Sequence, residues 1–523
     1  MTSLTADNHR AGTREWLGLA ILALPTLLLS IDVSVLHLAV PHITTSLEPS
    51  ASEMLWIIDI YGFLLAASLV TMGTLGDRVG RRKLLLIGAA AFGVLSLAAA
   101  WADGPILLIA ARAALGIAAA TLMPSTLALI SNMFRDAKER GVAIAVWVTM
   151  FSVGIALGPV VGGALLELFW WGSVFLIAVP VMALLLVAGP VLLPEHRDEQ
   201  AGRLDLVSVV LSLLAILPIV YGLKEIAREG GAVIPVLAIV VGLIAAVAFV
   251  HRQRTLTNPV LDVGLFRQRA FVATLATMLV AMLVAGGTYL FVTQYLQLVD
   301  GQSPLRAGLW LLPAAFALIV TSIAAPMAVS RFAPSTVVCA GLLLSAVGHA
   351  MLALVPASGG LTLLVIAFAL VYGGGGPLIA LGTDLVVGSV LPEQAGSAAA
   401  ISETSTELGM ALGVATLGSV GTAIYRGQLT LPEGLPADAT DSARDTLAGA
   451  LASVEGLAGP AGEALAASAR DAFTDGLNVI GLISALVSVA LAVLFATNTR
   501  SRPATESASV VEDAKEIVKA DAG

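Results

Sequence analysis

Leu408–Gly418 reads LGMALGVATLG, and it repeats the glycine pattern of VGIALGPVVGG at Val153–Gly163. The register extends upstream, since Gly141 and Gly154 are thirteen residues apart, and so are Gly396 and Gly409. Farther upstream, LMPSTLALI at 122–130 is echoed by GGPLIALGT at 375–383, with Pro124 and Pro377 in correspondence. A fainter echo joins the loop around 73–83 to MAVSRFAPS at 327–335. Glycines four residues apart form a flat stripe on a helix and let a second helix approach closely. The chain is therefore read as two related halves, each with such a packing helix. One difference stands out within the repeat. Where the first copy has Ser152, the second has Glu407, and Glu403 lies one helical turn earlier on the same face.

Around this repeat the sequence is that of a membrane protein. It is 58% hydrophobic and only 12% charged, where soluble chains are about one-quarter charged. Its mean hydropathy is +0.94. Apolar stretches of bilayer length recur at about 16–40, 54–73, 84–101, 105–130, 141–165, 171–193, 204–223, 231–250, 271–297, 306–330, 335–355, 360–386, 396–424 and 476–497. They are uniformly apolar rather than alternating, so they are helices and not barrel strands. The expected fold is all-α, with fourteen transmembrane helices. Residues 1–15 form a cytoplasmic tail, 16–193 a first six-helix half, and 204–250 two inserted helices. Residues 271–497 form a second six-helix half with an outer helical hairpin at 426–475, and 498–523 a charged, disordered cytoplasmic tail. The first apolar segment is too long for a signal peptide and is expected to remain as the first span. With the N-terminus inside, the inner loops hold Arg78, Arg81, Arg82, Lys83, Arg135, Lys138 and Arg140 among others. The outer loops hold only Lys224, Arg228, Arg306, Arg426, Arg444 and Arg470. That is the positive-inside pattern, and it predicts a multi-pass protein of the cell (inner) membrane with both termini cytoplasmic. The net charge of −9 comes largely from acids of the outer loops.

Ionisable residues inside such spans are the functional candidates, because a charge at the bilayer centre costs about 2.5–3.5 kcal/mol on insertion scales. Asp32 lies in the outer half of the first span, and Arg112 in the outer half of the fourth. A pair between them either holds the two helices together or is coupled to protons, and the two readings are compatible. Asp59 falls about one turn inside the outer interface, which suggests a solvated vestibule. Glu403 and Glu407 of the thirteenth span, one turn apart, are expected to titrate as a coupled unit. Trp56, Tyr61 and Tyr289 are candidate aromatic walls for a cation, although aromatics at helical spacing usually serve packing. His37 and His349 are read as making ordinary hydrogen bonds, and the GGGG run at 373–376 as a bend or an unwinding point. The single cysteine, Cys339, excludes an internal disulfide. No phosphate-binding loop, metal-spaced His/Cys cluster or nucleophile–base arrangement is present, so neither an enzyme nor a metal site is expected. Composition excludes nucleic acid as a partner.

Two further strings are more specific. GTLGDRVGRR at 73–82 offers Gly73, Gly76, Asp77, Arg78, Gly80 and Arg81, with basic residues facing the anionic inner leaflet. Gly154, Gly158, Pro159, Gly162 and Gly163 give the fifth span a small face and a bend. Together with IDVSVLHLAVP at 31–41, RAALG at 112–116 and SETSTELG at 402–409, they resemble the major facilitator superfamily over residues 10–500. The similarity is to its fourteen-helix drug:proton antiporter branch, of the quaternary-ammonium and multidrug exporter type. His37 departs from the branch, which usually has Asn there. The resemblance implies a cytoplasmic gate at 73–81, an antiporter motif at 154–163, and roles in proton coupling and cation recognition for Asp32, Asp59, Glu403 and Glu407. Arg112 is then a candidate ion-pair partner.

The expected function is proton-coupled efflux of lipophilic, mainly monovalent cations, such as quaternary ammonium compounds, dyes and antiseptics. The protein is expected to act as a monomer in the lipid bilayer, without a cofactor and with the proton gradient as its energy source. Two alternatives stay open: export of an endogenous metabolite, antibiotic, siderophore or lipid, and a membrane scaffold or sensor that does not transport.

Overall fold

The computed structural model describes residues 11–134, 136–195, 197, 205–229, 233–256, 263–387, 395–432, 436–454 and 460–498, and all regular structure among them is helical. The first half runs through α1 (Thr13–Leu47), α2 (Ala51–Val79), α3 (Arg81–Ala100), α4 (Pro105–Met133) and α5 (Ala137–Leu168). A sixth span follows, broken into α6 (Ser173–Leu176) and α7 (Ala178–Leu192). The inserted pair is α8 (Leu206–Glu229) and α9 (Val233–Thr255). The second half comprises α10 (Arg269–Gln294), α11 (Pro304–Val329), α12 (Pro334–Leu352), α13 (Leu361–Val387) and α14 (Ala395–Gln428). Two short helices, α15 (Ala437–Asp445) and α16 (Leu447–Val454), lead to the last span, α17 (Pro460–Asn498). Among the described residues, twelve helices are long and apolar enough to cross a membrane, and α5 makes a thirteenth once its bend is allowed. α8 stands where the seventh span was expected, with a shorter apolar stretch at Val207–Ile219. Counting α8 as a span, α1 begins and α17 ends on one face, called here the terminal face. α15 and α16 lie on the opposite, hairpin face.

Local chemistry sets several boundaries. Ser50 and Glu53 form a reciprocal capping box that starts α2. Ser303 accepts from the Arg306 backbone N–H before Pro304 starts α11. Between α2 and α3, Gly80 adopts a φ of 116°, and a Cβ there would lie 2.7 Å from a Glu195 carboxylate oxygen. Only glycine meets both demands. α5 bends by 41° between Ile155 and Leu157. Pro159 offers no N–H to the carbonyl four residues back, at Ile155, which accounts for the bend.

The internal repeat appears as matched packing. On α5, a Cβ at Gly154 would meet Leu27 and Ser30 of α1, and one at Gly158 would meet Ile31 and Ser34. On α14, the corresponding Gly409 and Gly413 lie against Leu279 and Leu283 of α10. Each packing helix also reaches across to the other half. Gly163 of α5 abuts Pro304 and Leu305 of α11, and Gly308 of α11 abuts Pro159. Across the other seam, Gly62 of α2 meets Ala411 of α14, and Gly418 of α14 meets Leu55 of α2. These contacts, with the Tyr289 hydroxyl donating to the Ser34 carbonyl (3.3 Å) and Gln297 donating to that of Leu38 (3.1 Å), join the halves toward the hairpin face. α8 packs along the α2–α14 seam, where Ile216 and Leu217 lie against Phe63, Ala411 and Ala415.

Two expectations change. The glycine run 373–376 does not interrupt α13, which is helical from Leu361 to Val387. Gly374 instead faces Gly341 and Ser345 of α12, and Gly376 faces Thr321 and Ser322 of α11, so these glycines serve close approach on two sides. The second arm of the outer hairpin is no separate helix, because α17 runs unbroken from Pro460 through the last span. The join between the arms, at 455–459, lies outside the described residues, as do 1–10 and 499–523 of the tails, whereas α1 already begins at Thr13.

Candidate transport site

A cavity of about 390 Å³ lies between the halves, lined by α1, α2, α4 and α14. Val33, Leu36 and His37 come from α1, and Ile58, Asp59, Tyr61 and Gly62 from α2. Arg112 comes from α4, and Glu407, Met410, Ala411 and Val414 from α14. Asp59 and Glu407 thus face one space although 348 residues separate them in the chain. They meet there because Gly62 and Ala411 allow α2 and α14 to touch at this level.

Arg112 is 1% exposed and ion-paired to Asp32 at 2.6 Å. Its Nε donates to the Ile57 carbonyl at 3.4 Å, and its guanidinium lies 4.3 Å from the centre of the Tyr61 ring and 5.9 Å from that of Phe175. Here the Tyr61 face holds an internal cation. Asp32 and Arg112 cancel in charge, which leaves Asp59 and Glu407 as the acids of the cavity.

The other predicted residues fall in different places. Asp59 is 2% exposed rather than in a solvated vestibule. The capping box starts α2 at Ala51, so Asp59 lies more than two turns in, on the face turned toward α14. Glu403 is partly buried one turn closer to the terminal face, outside the lining of this cavity. Trp56 points away from it and packs edge-on to Phe63 beside α8. Tyr289 is buried among His37, Phe368 and Tyr372, with ring centroids 4.8, 6.1 and 6.2 Å away. That cluster fastens α10 to α1 and α13, and Tyr289 does not line the cavity. Within SETSTE the hydroxyls of Ser405 and Thr406 donate to carbonyls of their own helix, Ser402 donates to the Thr383 hydroxyl of α13 at 3.4 Å, and the Thr404 hydroxyl is buried without a hydrogen-bond partner.

Of the gate residues, a Cβ on Gly76 would lie 3.0 Å from the Arg81 side chain, and one on Gly73 would lie 3.9 Å from Pro124. Arg78 is exposed, and the side chain of Asp77 lies outside the described residues. The sequence reading missed the partner of this loop. Arg82 approaches Glu195 at 3.6 Å and donates to the carbonyls of Pro190 and Leu193, which ties α3 to the end of α7. It also missed His37, whose Nδ1 is buried without a hydrogen-bond partner and whose ring lines the cavity. His349 does have one, the Ser488 hydroxyl at 3.4 Å. The departure from Asn at position 37 was the available signal.

Residues 22–414 match the Major Facilitator Superfamily. The chain belongs to the major facilitator superfamily. Among curated relatives it is 44% identical over 490 residues to the multidrug efflux pump LfrA of Mycolicibacterium smegmatis, covering 94% of this chain and 97% of that one. It is 35% identical to the methyl viologen resistance protein SmvA of Salmonella typhimurium, covering 88% and 93%. The tetracenomycin C resistance and export protein of Streptomyces glaucescens is 32% identical, covering 77% and 76%. Among solved structures, an inward-facing bacterial homologue of the human lysosomal transporter Spinster superposes with a TM-score of 0.64. At 16% identity, and covering 94% of this chain and all of that one, it shares the fold. The protein is thus a multi-pass membrane protein of a transporter family.

Proposed function

We propose that this protein is a proton-coupled multidrug antiporter that exports lipophilic, mainly monovalent cations across the cytoplasmic membrane. The observation that carries this reading is the meeting of Asp59 and Glu407 in one inter-half cavity beside a neutralised Asp32–Arg112 pair. A cavity that presents Asp59 and Glu407 between apolar walls favours a bound proton or an organic cation, since a bare charge inside a membrane is costly. Proton and cargo therefore compete, and competition at one site open alternately to each face is exchange. α11 has no carboxylate, which favours monovalent cargo. The positive-inside pattern places both termini in the cytoplasm and the hairpin face outside. The gradient supplies the energy, no cofactor is required, and one chain contains the whole path.

Liposomes containing the purified protein test this. Adding ethidium should move protons measurably by an internal pH dye, and Glu407→Gln should abolish the coupled flux. Unchanged proton-coupled ethidium transport by that variant would overturn the assignment. The Streptomyces relative, named for export of tetracenomycin C, supports a second reading in which the cargo is a natural product. A panel of neutral and anionic compounds in the same assay separates the two.

A further inference from the structure

A second cavity, of about 570 Å³, lies directly beyond the first toward the hairpin face, and Ile58 lines both. Its walls come from both halves, and its roof is the turn from α15 into α16. Phe291 and Phe473 line it as a stacked pair, with centroids 5.1 Å apart and planes 23° apart. Gln294 and Tyr425 add polar atoms, and Asp445 stands at the roof. Asp445 is paired with Arg426 of α14 at 2.6 Å, and Arg426 also donates to the Arg444 carbonyl at 3.2 Å. With the Tyr425 hydroxyl donating to the Ala443 carbonyl at 2.7 Å, these contacts fasten the hairpin to α14.

We propose that this outer cavity is a second binding chamber for the lipophilic cation, in which the cargo displaces Arg426 from Asp445 and so loosens the hairpin roof. The inference rests on the cationic cargo proposed above. Apolar and aromatic walls suit an organic cation, and Asp445 is the carboxylate on the chamber wall. Its partner Arg426 is 26% exposed, so it finds water as its alternative partner, and the exchange strands no buried charge. The cargo that has passed Ile58 thereby weakens the contact that retains it.

The full-length protein with Cys339→Ser, which removes its one thiol, and Thr422→Cys in the chamber wall provides the test. In proteoliposomes, tetraphenylphosphonium should slow N-ethylmaleimide labelling of Cys at position 422 at least fivefold, while neutral triphenylphosphine oxide should not. Protection should persist in a Glu407→Gln background, whatever that variant does to transport. Arg426→Gln should lower the protecting concentration of the cation, and Asp445→Asn should raise it. A mere structural clasp would give the opposite sign for Arg426→Gln. That opposite sign, equal protection by the neutral compound, loss of protection with Glu407→Gln, or a thiol that never reacts would each overturn the proposal.

Discussion

Arg112 shows what one charged side chain demands inside a membrane protein. It is the largest fully buried side chain described, and four separate groups hold it: a carboxylate, a carbonyl and two aromatic faces. Removing one partner of such a pair leaves an uncompensated buried charge and costs about 3–5 kcal/mol, whereas replacing both with apolar groups is often neutral. Asp32→Asn is therefore expected to lower the melting temperature in detergent markedly, and Asp32→Asn with Arg112→Leu to recover most of the loss without recovering transport. Equal melting temperatures for wild type and Asp32→Asn would show that the pair is not structural. Asp59 behaves differently, since it lines the cavity on the side facing Glu407. Asp59→Asn should weaken ethidium binding about tenfold, or about 1.4 kcal/mol, by fluorescence titration. Asp32, Asp59, Arg112 and Glu407 were all legible in the sequence because charge in an apolar span is rare. His37 was legible only as a departure from Asn, because a histidine shows in sequence neither what it packs against nor which of its nitrogens goes unpaired.

At the scale of elements, the glycine helices α5 and α14 do two jobs that separate mutations can tell apart. A Cβ on Gly413 would come within 1.9 Å of the Leu283 carbonyl oxygen, inside the second half. Gly413→Ala should cost about 1–3 kcal/mol as overpacking, read as a lowered melting temperature. A Cβ on Gly163 would come within 2.5 Å of the Pro304 carbonyl oxygen, across the halves. Gly163→Ala should instead weaken closure at the hairpin face, with faster thiol labelling of a cysteine placed there and little change in melting temperature. The glycine spacing announced both helices. Which neighbour each glycine meets was hidden, because a stripe of small residues gives permission for contact without naming the partner. The same limit explains the run 373–376, where four glycines suggested a bend but close packing on two sides keeps α13 helical.

Over the whole molecule, the halves are joined toward the hairpin face, while the described gate contacts near the terminal face stay within the first half. The Arg82–Glu195 contact fastens α3 to the end of α7, and Gly80 leaves space for that carboxylate. Gly80→Ala meets both a strained φ and the Glu195 side chain, so it should reduce transport severalfold, with Glu195→Ala restoring only the steric part. Transport assays of the single and double variants would measure the split. If the gate glycine served only the turn, removing Glu195 would restore nothing.

The sequence by itself determined that this chain crosses a membrane many times as helices, that one glycine pattern occurs in it twice, and that a few acids lie within its apolar spans. Those properties follow from composition, periodicity and rarity, which a linear string carries in full. Only the tertiary structure decided that Asp59 and Glu407 share a cavity while Glu403 sits outside it, that Trp56 and Tyr289 serve packing, and that Asp445 roofs a second chamber. Helix rotation and the choice of packing partner set those outcomes, and both depend on contacts between residues hundreds of positions apart. Glu403 and Glu407 made the helix acidic, and the fit of α2 against α14 decided which of the two faces the cavity.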